Sequence, residues 1–224
     1  MVKTLYKHQQ RFIESNPDRA LLCWEAGTGK TIAGCEWLKK RTDTPALVVC
    51  PKGVIKKWKA ELKEWGAVAD VVSRDLVKKT DLINYGAIII DEAQDFTSPL
   101  FDKSRSQRAT TIYNYVRTHT KASILLLSAT PIRSRPENLH TLACYLGRLW
   151  NIHEFRGEFL HMTDKFGRRH YEPNKDWRIK IRPKLELVAD IVLMADCADV
   201  PKHEHTVINV KWNKSHDIKL RNQY

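Results

Sequence analysis

Short apolar runs alternate with amphipathic segments along the chain. Five of the runs are continuous rather than alternating in polarity, which is typical of strands buried on both faces of a parallel sheet. The segments between them repeat apolar residues at helical spacing, opposite lysine and glutamate. The pattern predicts an α/β fold in which a mostly parallel sheet carries helices on both faces. The predicted strands cover residues 20–23, 46–50, 68–72, 87–90 and 123–127.

The last third of the chain has a less regular pattern. Residues 151–184 are basic and are interrupted by glycine and proline, so we interpret them as a basic loop or a small appendage. The apolar spacing predicts a helix over residues 185–194 and a strand over 206–210. We therefore expect one lobe over residues 1–200 and a lead-out over residues 201–224.

Composition indicates a soluble globular protein. Of the 224 residues, 42% are hydrophobic and 29% are charged, which excludes an extended disordered chain. No apolar run is long enough to cross a membrane, and the N-terminus lacks the apolar core of a signal peptide, so the cytoplasm is the default location. The five scattered cysteines form no CxxC pair and indicate reduced core thiols rather than disulfides or a zinc site.

The charge distribution points to a class of partner. The chain carries 38 Lys and Arg against 26 Asp and Glu, a net charge of +12. Residues 101–150 alone hold 8 basic and 2 acidic residues, which is half of the excess. A concentrated basic excess suits a polyanion such as a nucleic acid, because each neutralised phosphate releases counterions. A basic surface that only keeps the chain soluble explains the charge equally well.

A phosphate-binding loop is the most specific motif. Residues 24–31 read Trp-Glu-Ala-Gly-Thr-Gly-Lys-Thr and lie between a predicted strand and a predicted helix. The glycines let successive backbone N–H groups point at a phosphate, while the lysine would reach the β- and γ-phosphates and the last threonine would bind Mg²⁺. Trp24 stands where the general motif has its first glycine. The loop predicts a nucleotide site built from Ala26, Gly27, Thr28, Gly29, Lys30 and Thr31.

Two further motifs follow predicted strands. Asp91 and Glu92 come directly after one strand, where carboxylates project into the crevice in which ligands of α/β sheets bind. Asp91 would hold Mg²⁺, and Glu92 would orient and deprotonate an attacking water. Ser128 and Thr130 follow another strand and could bridge the carboxylates to a second ligand. Alone, the acids would be a helix cap and the hydroxyls an ordinary turn, but the phosphate loop upstream favours catalysis.

In this order, the three motifs resemble the first motor lobe of the superfamily 2 helicases and translocases. Residues 26–31, 91–94 and 128–130 match the family's motifs I, II and III. Further segments of the sequence resemble the Swi/Snf-like branch of this family, whose motors are double-stranded DNA translocases. Residues 5–9 are similar to its adenine-reading motif, with Gln9 in the position of the glutamine. Residues 48–52, followed by Trp58, Glu61 and Trp65, resemble its motif Ia.

The resemblance implies a fold and a set of roles. It implies a RecA-like lobe that uses ATP and Mg²⁺, with Lys30, Asp91 and Glu92 as the catalytic residues. Motif II would couple to motif III through Gln94, Ser128 and Thr130. It also implies that DNA contacts come from Pro51 and Lys52 and, by a looser match, from Ser73 and Arg74.

Two departures from the branch's pattern qualify these roles. Motif II reads DEAQ where the branch usually has DEAH, so the coupling of Gln94 to motif III stays open. Met194 and Ala195 lie near the place where an arginine pair is often found. The arginine fingers of this family come from a second lobe, which we expect on another chain or outside this sequence. The lobe alone is therefore expected to hydrolyse ATP weakly or not at all.

The sequence thus predicts the ATP-binding lobe of a DNA-dependent ATPase, a DNA helicase or a double-stranded DNA translocase. One alternative is a non-catalytic, nucleotide-responsive module for nucleic-acid binding or regulation. Such a module has no need of Glu92. The other alternative is the lobe of an RNA helicase, which residues 48–65 and the extension Thr130-Pro131-Ile132 disfavour.

Overall fold

The computed structural model describes residues 4–98, 106–165 and 168–197 of the chain. Six strands form a parallel sheet, and two form an antiparallel hairpin. The strands in this part of the chain are β1 (Arg19–Trp24), β2 (Ala46–Cys50), β3 (Asp70–Ser73), β4 (Ala87–Asp91), β5 (Ser123–Leu127), β6 (Leu160–Lys165), β7 (Arg168–Pro173) and β8 (Ala189–Val192). The six-stranded sheet has the order β3-β2-β4-β5-β1-β8, and β6 pairs with β7.

Helices cover both faces of the sheet, as the pattern predicts. They are α1 (Lys7–Ser15), α2 (Lys30–Lys39), α3 (Ile55–Trp65), α4 (Gln107–Thr118), α5 (Glu137–Tyr145), α6 (Ile152–Phe159), α7 (Trp177–Lys180) and α8 (Arg182–Glu186). Apolar residues of α1, α2 and α3 form one core with one face of the sheet, and those of α4 and α5 form a second core with the other face. The predicted α/β class is confirmed.

The strands are buried because both of their faces meet a helical layer. In β4, Ile89 belongs to the core of α1, α2 and α3, whereas Ile88 and Ile90 belong to the core of α4 and α5. All three side chains are at most 1% exposed. Burial on both faces explains why these strands are continuous apolar runs. The run over residues 68–72 is the exception, since β3 begins only at Asp70 and Val68 is exposed.

Residues 151–184, predicted as a basic loop or a small appendage, form regular elements rather than a loop. The segment contains α6, the β6–β7 hairpin, α7 and most of α8. Its apolar side chains form a third core with Leu139 of α5. Phe155, Phe159, Trp177 and Ile181 supply most of this core, and a regular segment that buries such a cluster can hold its own structure. The segment is a small ordered appendage packed on α5.

The prediction of a helix over residues 185–194 is wrong. Helix α8 ends at Glu186, and Ala189–Val192 is strand β8, parallel to β1 at the edge of the sheet. The apolar spacing fits a helix, but Ile191 and Val192 are β-branched, and pairing with β1 satisfies their backbone groups. The strand predicted over residues 206–210 and the lead-out over 201–224 lie outside the described residues.

None of the helices in the described ranges is both long enough and apolar enough to span a membrane.

Candidate functional site

The three predicted motifs meet at the carboxyl edge of the central strands. Strand β5 lies between β4 and β1, and its last residue, Leu127, is paired in register with both Asp91 and Leu22. The phosphate loop follows β1, the carboxylates end β4, and Ser128 follows β5. The sheet therefore brings residues more than sixty positions apart in sequence to one edge, where ligands of parallel α/β sheets bind.

The phosphate loop turns on two glycines in the left-handed region. Gly27 has φ of 85° and Gly29 has φ of 82°, and Gly29 caps the N-terminus of α2. A Cβ on Gly29 would lie 2.2 Å from Nε2 of Gln9, so a larger residue would have to displace that amide as well as adopt a left-handed backbone. Thr28 is buried, and its hydroxyl donates to the carbonyl of Glu25 at 2.7 Å. The loop is thus a tight turn that leads into a helix N-terminus, the geometry that suits an anion.

Lys30 lies at the centre of the site's charges. Its ammonium donates to the carbonyls of Trp24 at 2.7 Å and Glu25 at 3.0 Å. Burial lowers the pKa of Lys30, and the nearby charges of Glu92 and Asp91 oppose that shift. The charges of the two carboxylates therefore reach the loop lysine, as a shared phosphate and metal site requires.

Trp24, which stands where the general motif has its first glycine, packs against helix α1. It is the last residue of β1, and its side chain is fully buried. The indole contacts the rings of His8, at 4.7 Å between centroids, and Phe12, at 5.9 Å, both edge to face. Because these rings belong to α1, the tryptophan fixes this helix against the start of the loop.

Gln9 lies beside the phosphate loop and is bonded to it. Its Oε1 accepts from the backbone N–H of Tyr6 at 2.8 Å, and its Nε2 donates to the carbonyl of Gly29 at 3.1 Å. His8 adds a second link, with Nε2 at 2.8 Å from the carbonyl of Thr28. A cavity of ≈ 420 Å³ adjoins this helix, between His8 and Val192. The amide of Gln9 therefore ties α1 to the phosphate loop.

Asp91 is held by two hydrogen bonds. Its Oδ2 accepts from Nε1 of Trp58 at 2.8 Å, and its Oδ1 accepts from the N–H of Glu92 at 3.0 Å. Burial raises the pKa of Asp91, and the bond from Trp58 partly offsets that shift. Each carboxylate oxygen has two lone pairs, so each keeps one for a cation or its water ligands. The donor set, a fixed carboxylate with the half-buried hydroxyl of Thr31, fits a hard cation such as Mg²⁺.

A chain of hydrogen bonds joins motif II to motif III. The Nε2 of Gln94 donates to Oε2 of Glu92, and Oγ of Ser128 donates to Oε1 of Gln94 at 2.5 Å. Oγ of Ser128 also accepts from the N–H of Thr130 at 3.1 Å. Both Gln94 and Ser128 are buried. A glutamine in the fourth position of motif II can therefore bridge the two motifs, which the sequence left open.

Glu92 has an unusual backbone conformation. Its φ of 53° and ψ of 52° place a non-glycine residue in the left-handed region, where it precedes the short 3₁₀ turn Ala93–Phe96. Such conformations are costly and cluster at active sites. The strain fixes the direction in which the carboxylate leaves the strand end.

The predicted DNA-contacting residues differ in their surroundings. Lys52 is exposed and Pro51 is half-buried, at the start of the 3₁₀ turn Lys52–Val54 after β2. Ser73, in contrast, is buried at the end of β3, which does not present its hydroxyl to a ligand. The guanidinium of Arg74 is paired with Asp95. The four residues lie at one edge of the sheet, but only Lys52 presents an exposed, unpaired cation there.

Sequence reasoning missed several residues of this edge. Trp58 is predicted as part of a helix and of motif Ia, but its bond to Asp91 depends on how α3 packs on the sheet. Asp95 follows motif II by one residue, and Arg133 follows Pro131 by two, yet no motif spacing links them. Their contact, 2.8 Å between Nη1 of Arg133 and Oδ1 of Asp95, comes only from the neighbouring positions of β4 and β5.

Comparison with known proteins gives two relatives by sequence. The chain is 30% identical over 177 residues to a Bacillus subtilis (strain 168) protein named "Uncharacterized ATP-dependent helicase YqhH", covering 67% of this chain and 30% of that protein. It is 26% identical over 187 residues to a Caenorhabditis elegans homolog of SWI/SNF-related matrix-associated actin-dependent regulator of chromatin subfamily A-like protein 1, covering 69% and 26%. The chain thus spans less than a third of the length of either relative.

The other comparisons add little. No family profile matches the chain. A crystal structure of the Pyrococcus furiosus Hef helicase domain is 14% identical and has a TM-score of 0.48, covering 72% of this chain and 41% of that one. This likeness is too low to carry an argument. The two sequence relatives, one named as an ATP-dependent helicase and the other as a homolog of a SWI/SNF-related regulator, agree with the resemblance of the motifs to the superfamily 2 helicases and translocases.

Proposed function

We propose that this chain is the ATP-binding lobe of a DNA-dependent ATPase that moves on duplex DNA when it is paired with a second RecA-like lobe. In this proposal residues 1–200 form the lobe, with 151–184 as its appendage and 201–224 as the lead-out. The observation that carries the proposal is the sheet register that brings the phosphate loop with Lys30 and the carboxylates of Asp91 and Glu92 to one edge, where the charges of the carboxylates oppose the lowering of the Lys30 pKa.

The phosphates of ATP bind to the loop after β1. Backbone N–H groups from Ala26 to Thr31 surround the β-phosphate at the N-terminus of α2, and Lys30 exchanges its bonds to backbone carbonyls for bonds to phosphate oxygens. Gln9 reads the adenine from α1. The cavity of ≈ 420 Å³ between α1 and β8 supports an adenine position on this side of the loop.

Asp91 and Thr31 would hold the Mg²⁺ ion. When bound, the ion neutralises charge that develops on the phosphates. Trp58 fixes the orientation of Asp91 through the bond of 2.8 Å, so the carboxylate needs no rearrangement to reach a cation. Burial of Asp91 disfavours its charge, and a cation at this place removes that cost.

Glu92 orients the attacking water and accepts its proton. Its hydrogen bond to Gln94 holds the carboxylate. Further hydrogen bonds link Gln94 to Ser128 and Ser128 to Thr130, so a shift of motif II would move motif III. The loop that carries Ser128 and Thr130 thereby couples the state of the nucleotide to the surface of the lobe. A second lobe supplies the arginine fingers, which account for about 10³–10⁵ of the rate in related phosphoryl transfers.

Duplex DNA is the proposed partner of the carboxyl edge. Lys52 and Pro51 supply contacts from the turn after β2, and Arg74 supplies one from the end of β3. The contribution of Ser73 is limited to its backbone N–H, because its side chain is buried. The net charge of +12 favours a polyanion of either kind, DNA or RNA.

Two pairs of variants test the nucleotide chemistry. Lys30→Ala should abolish binding of a fluorescent ATP analogue in Mg²⁺, whereas its control Lys39→Ala, on the exposed side of the same helix, should bind normally. Glu92→Gln should bind the analogue and lose any ATP hydrolysis measured with duplex DNA. Its control is Glu14→Gln, an exposed charge on α1. Wild-type turnover in Glu92→Gln would refute the role of Glu92.

The alternatives correspond to other outcomes. A non-catalytic module would bind DNA with the same affinity after Lys30→Ala and would show no dependence on Glu92. For an RNA helicase lobe, structured RNA should displace the chain from labelled duplex DNA at a lower concentration than unlabelled duplex DNA does.

A further inference from the structure

Asp95 joins two arginines that come from different strands. Its Oδ2 accepts from Nη1 of Arg74, which follows β3, and its Oδ1 accepts from Nη1 of Arg133 at 2.8 Å, in the loop after β5. The carboxylate is 13% exposed, whereas the side chains of Arg74 and Arg133 are 36% and 56% exposed. The anion therefore lies inside, and the two cations lie between it and the solvent.

The cluster has more donors than its carboxylate uses. Each guanidinium has five N–H donors, and the structure assigns one nitrogen of each to Asp95. Two cations on one anion leave a net charge of +1. A third guanidinium approaches from the appendage, where Nη2 of Arg178 donates to the backbone carbonyl of Arg133 at 3.3 Å. Planar, multiply donating cations of this kind match the oxygens of a phosphate.

The cluster lies on the edge where the proposed nucleic acid runs. Arg74 follows β3, Lys52 follows the neighbouring strand β2, and Asp95 follows β4. A polyanion bound along this edge would pass from Lys52 to the two arginines. A phosphodiester there would meet the exposed faces of the guanidiniums before it met Asp95.

Asp95 also belongs to the catalytic turn. Its backbone N–H donates to the carbonyl of Glu92 at 2.9 Å, and Asp95 lies in the turn Ala93–Phe96, which Glu92 directly precedes and which carries Gln94. A change at the Asp95 carboxylate therefore acts on the same short turn that holds Glu92.

We propose that Arg74 and Arg133 form a binding site for a backbone phosphate of a nucleic acid, and that Asp95 occupies this site until the phosphate displaces it. The inference rests on the proposed function, because it takes a nucleic acid as the partner. It adds Arg133 as a contact and Asp95 as the internal competitor. Release of the Asp95 carboxylate would then couple the binding of a phosphate to the turn that follows Glu92.

The first test compares two arginine variants. Affinity for a short fluorescein-labelled DNA duplex is measured by anisotropy between about 50 and 200 mM salt. Arg133→Ala should bind severalfold more weakly, and the magnitude of the negative slope of log affinity against log salt should decrease by about 1. The control is Arg148→Ala, which removes the same charge beyond Gly147, beside Arg19 at the opposite edge of the sheet. Equal slopes for the two variants would overturn the site.

The second test addresses the competition. Asp95→Asn should bind the duplex more tightly than the wild type, because the arginines lose their internal anion. Asp18→Asn is the control, since it removes an exposed carboxylate at the opposite edge of the sheet. In the double variant Asp95→Asn with Arg133→Ala, most of the gain should disappear. A gain equal to that of Asp18→Asn, or one that survives the loss of Arg133, would overturn the competition.

The outcomes separate this inference from the proposed function. Wild-type binding with equal effects of Arg133→Ala and Arg148→Ala would remove the site and leave the nucleic-acid partner intact. No wild-type binding would overturn the proposed partner and this inference with it. Thermal unfolding of each variant shows that it is folded, and the exposure of Arg133 makes its replacement well tolerated.

Discussion

Replacing Gly29 by alanine tests how the phosphate loop is built. Gly29 has φ of 82°, in the left-handed region, and an added Cβ would lie 2.2 Å from Nε2 of Gln9. Gly66, the C-cap of α3, offers a matched control. It has φ of 68°, and an added Cβ there would meet no heavy atom within 4 Å. The two substitutions share the backbone strain and differ in the contact with Gln9.

The structure sets the size of each effect. Alanine in the left-handed region costs about 1–2 kcal/mol at either position. At Gly29 the methyl group also displaces the Gln9 amide, which breaks its 3.1 Å bond and leaves buried polar groups unpaired, at about 1–3 kcal/mol more. Gly29→Ala should therefore lose about 2–5 kcal/mol in total, against about 1–2 kcal/mol for Gly66→Ala.

Urea unfolding followed by circular dichroism measures both losses. In thermal melts the extra loss should lower the melting temperature of Gly29→Ala by about 2–12 °C relative to Gly66→Ala. Adding Gln9→Ala to Gly29→Ala removes the clash, so the double variant should lose less stability than the sum of the single losses. Equal losses for Gly29→Ala and Gly66→Ala would refute the contact between Gln9 and the loop.

Three further predictions concern other parts of the lobe. Ser128→Ala removes the donor to the buried amide oxygen of Gln94 and should lower the free energy of unfolding by about 1–3 kcal/mol in urea titrations. An unchanged free energy of unfolding would contradict this bond. Burial raises the pKa of Asp91 above its ordinary value of 3.8, so its ionised form is costly in the folded chain. The unfolding free energy of Asp91→Asn minus that of the wild type should therefore become more positive as the pH rises from 3.8 and level off above the raised pKa; a difference independent of pH would contradict this. Arg156→Leu leaves the buried Glu137 unpaired and should cost about 3 kcal/mol, most of which the double variant with Glu137→Leu should recover in thermal melts.

The sheet could be predicted because its strands are buried on both faces. Strands β2, β4 and β5 match their continuous apolar runs closely, since residues that face two helical layers must all be apolar. Strand β8 was missed because it lies at the edge, where Ile191 and Val192 fit either pattern. Its pairing with β1 brings together residues about 170 positions apart, and no local pattern encodes such a contact.

The motifs could be located from the sequence, but their mutual contacts could not. The order of the phosphate loop, the carboxylates and the hydroxyls gave their place at the strand ends. The bonds from Gln9 to Gly29 and from Trp58 to Asp91 depend on how α1 and α3 pack on the sheet. The ion pair between Asp95 and Arg133 depends on the adjacency of β4 and β5, and no sequence motif predicts it.

A crystal structure of this chain with Mg²⁺ and a non-hydrolysable ATP analogue would show whether the phosphate loop and the two carboxylates form one nucleotide site. We expect the phosphates to lie on the backbone N–H groups of residues 26–31, with Lys30 bonded to them and the ion held at Thr31 and Asp91. We also expect the carboxylate of Glu92 to point toward the terminal phosphate. A nucleotide bound elsewhere, or phosphates that leave Lys30 bonded to the carbonyls of Trp24 and Glu25, would refute the proposed site.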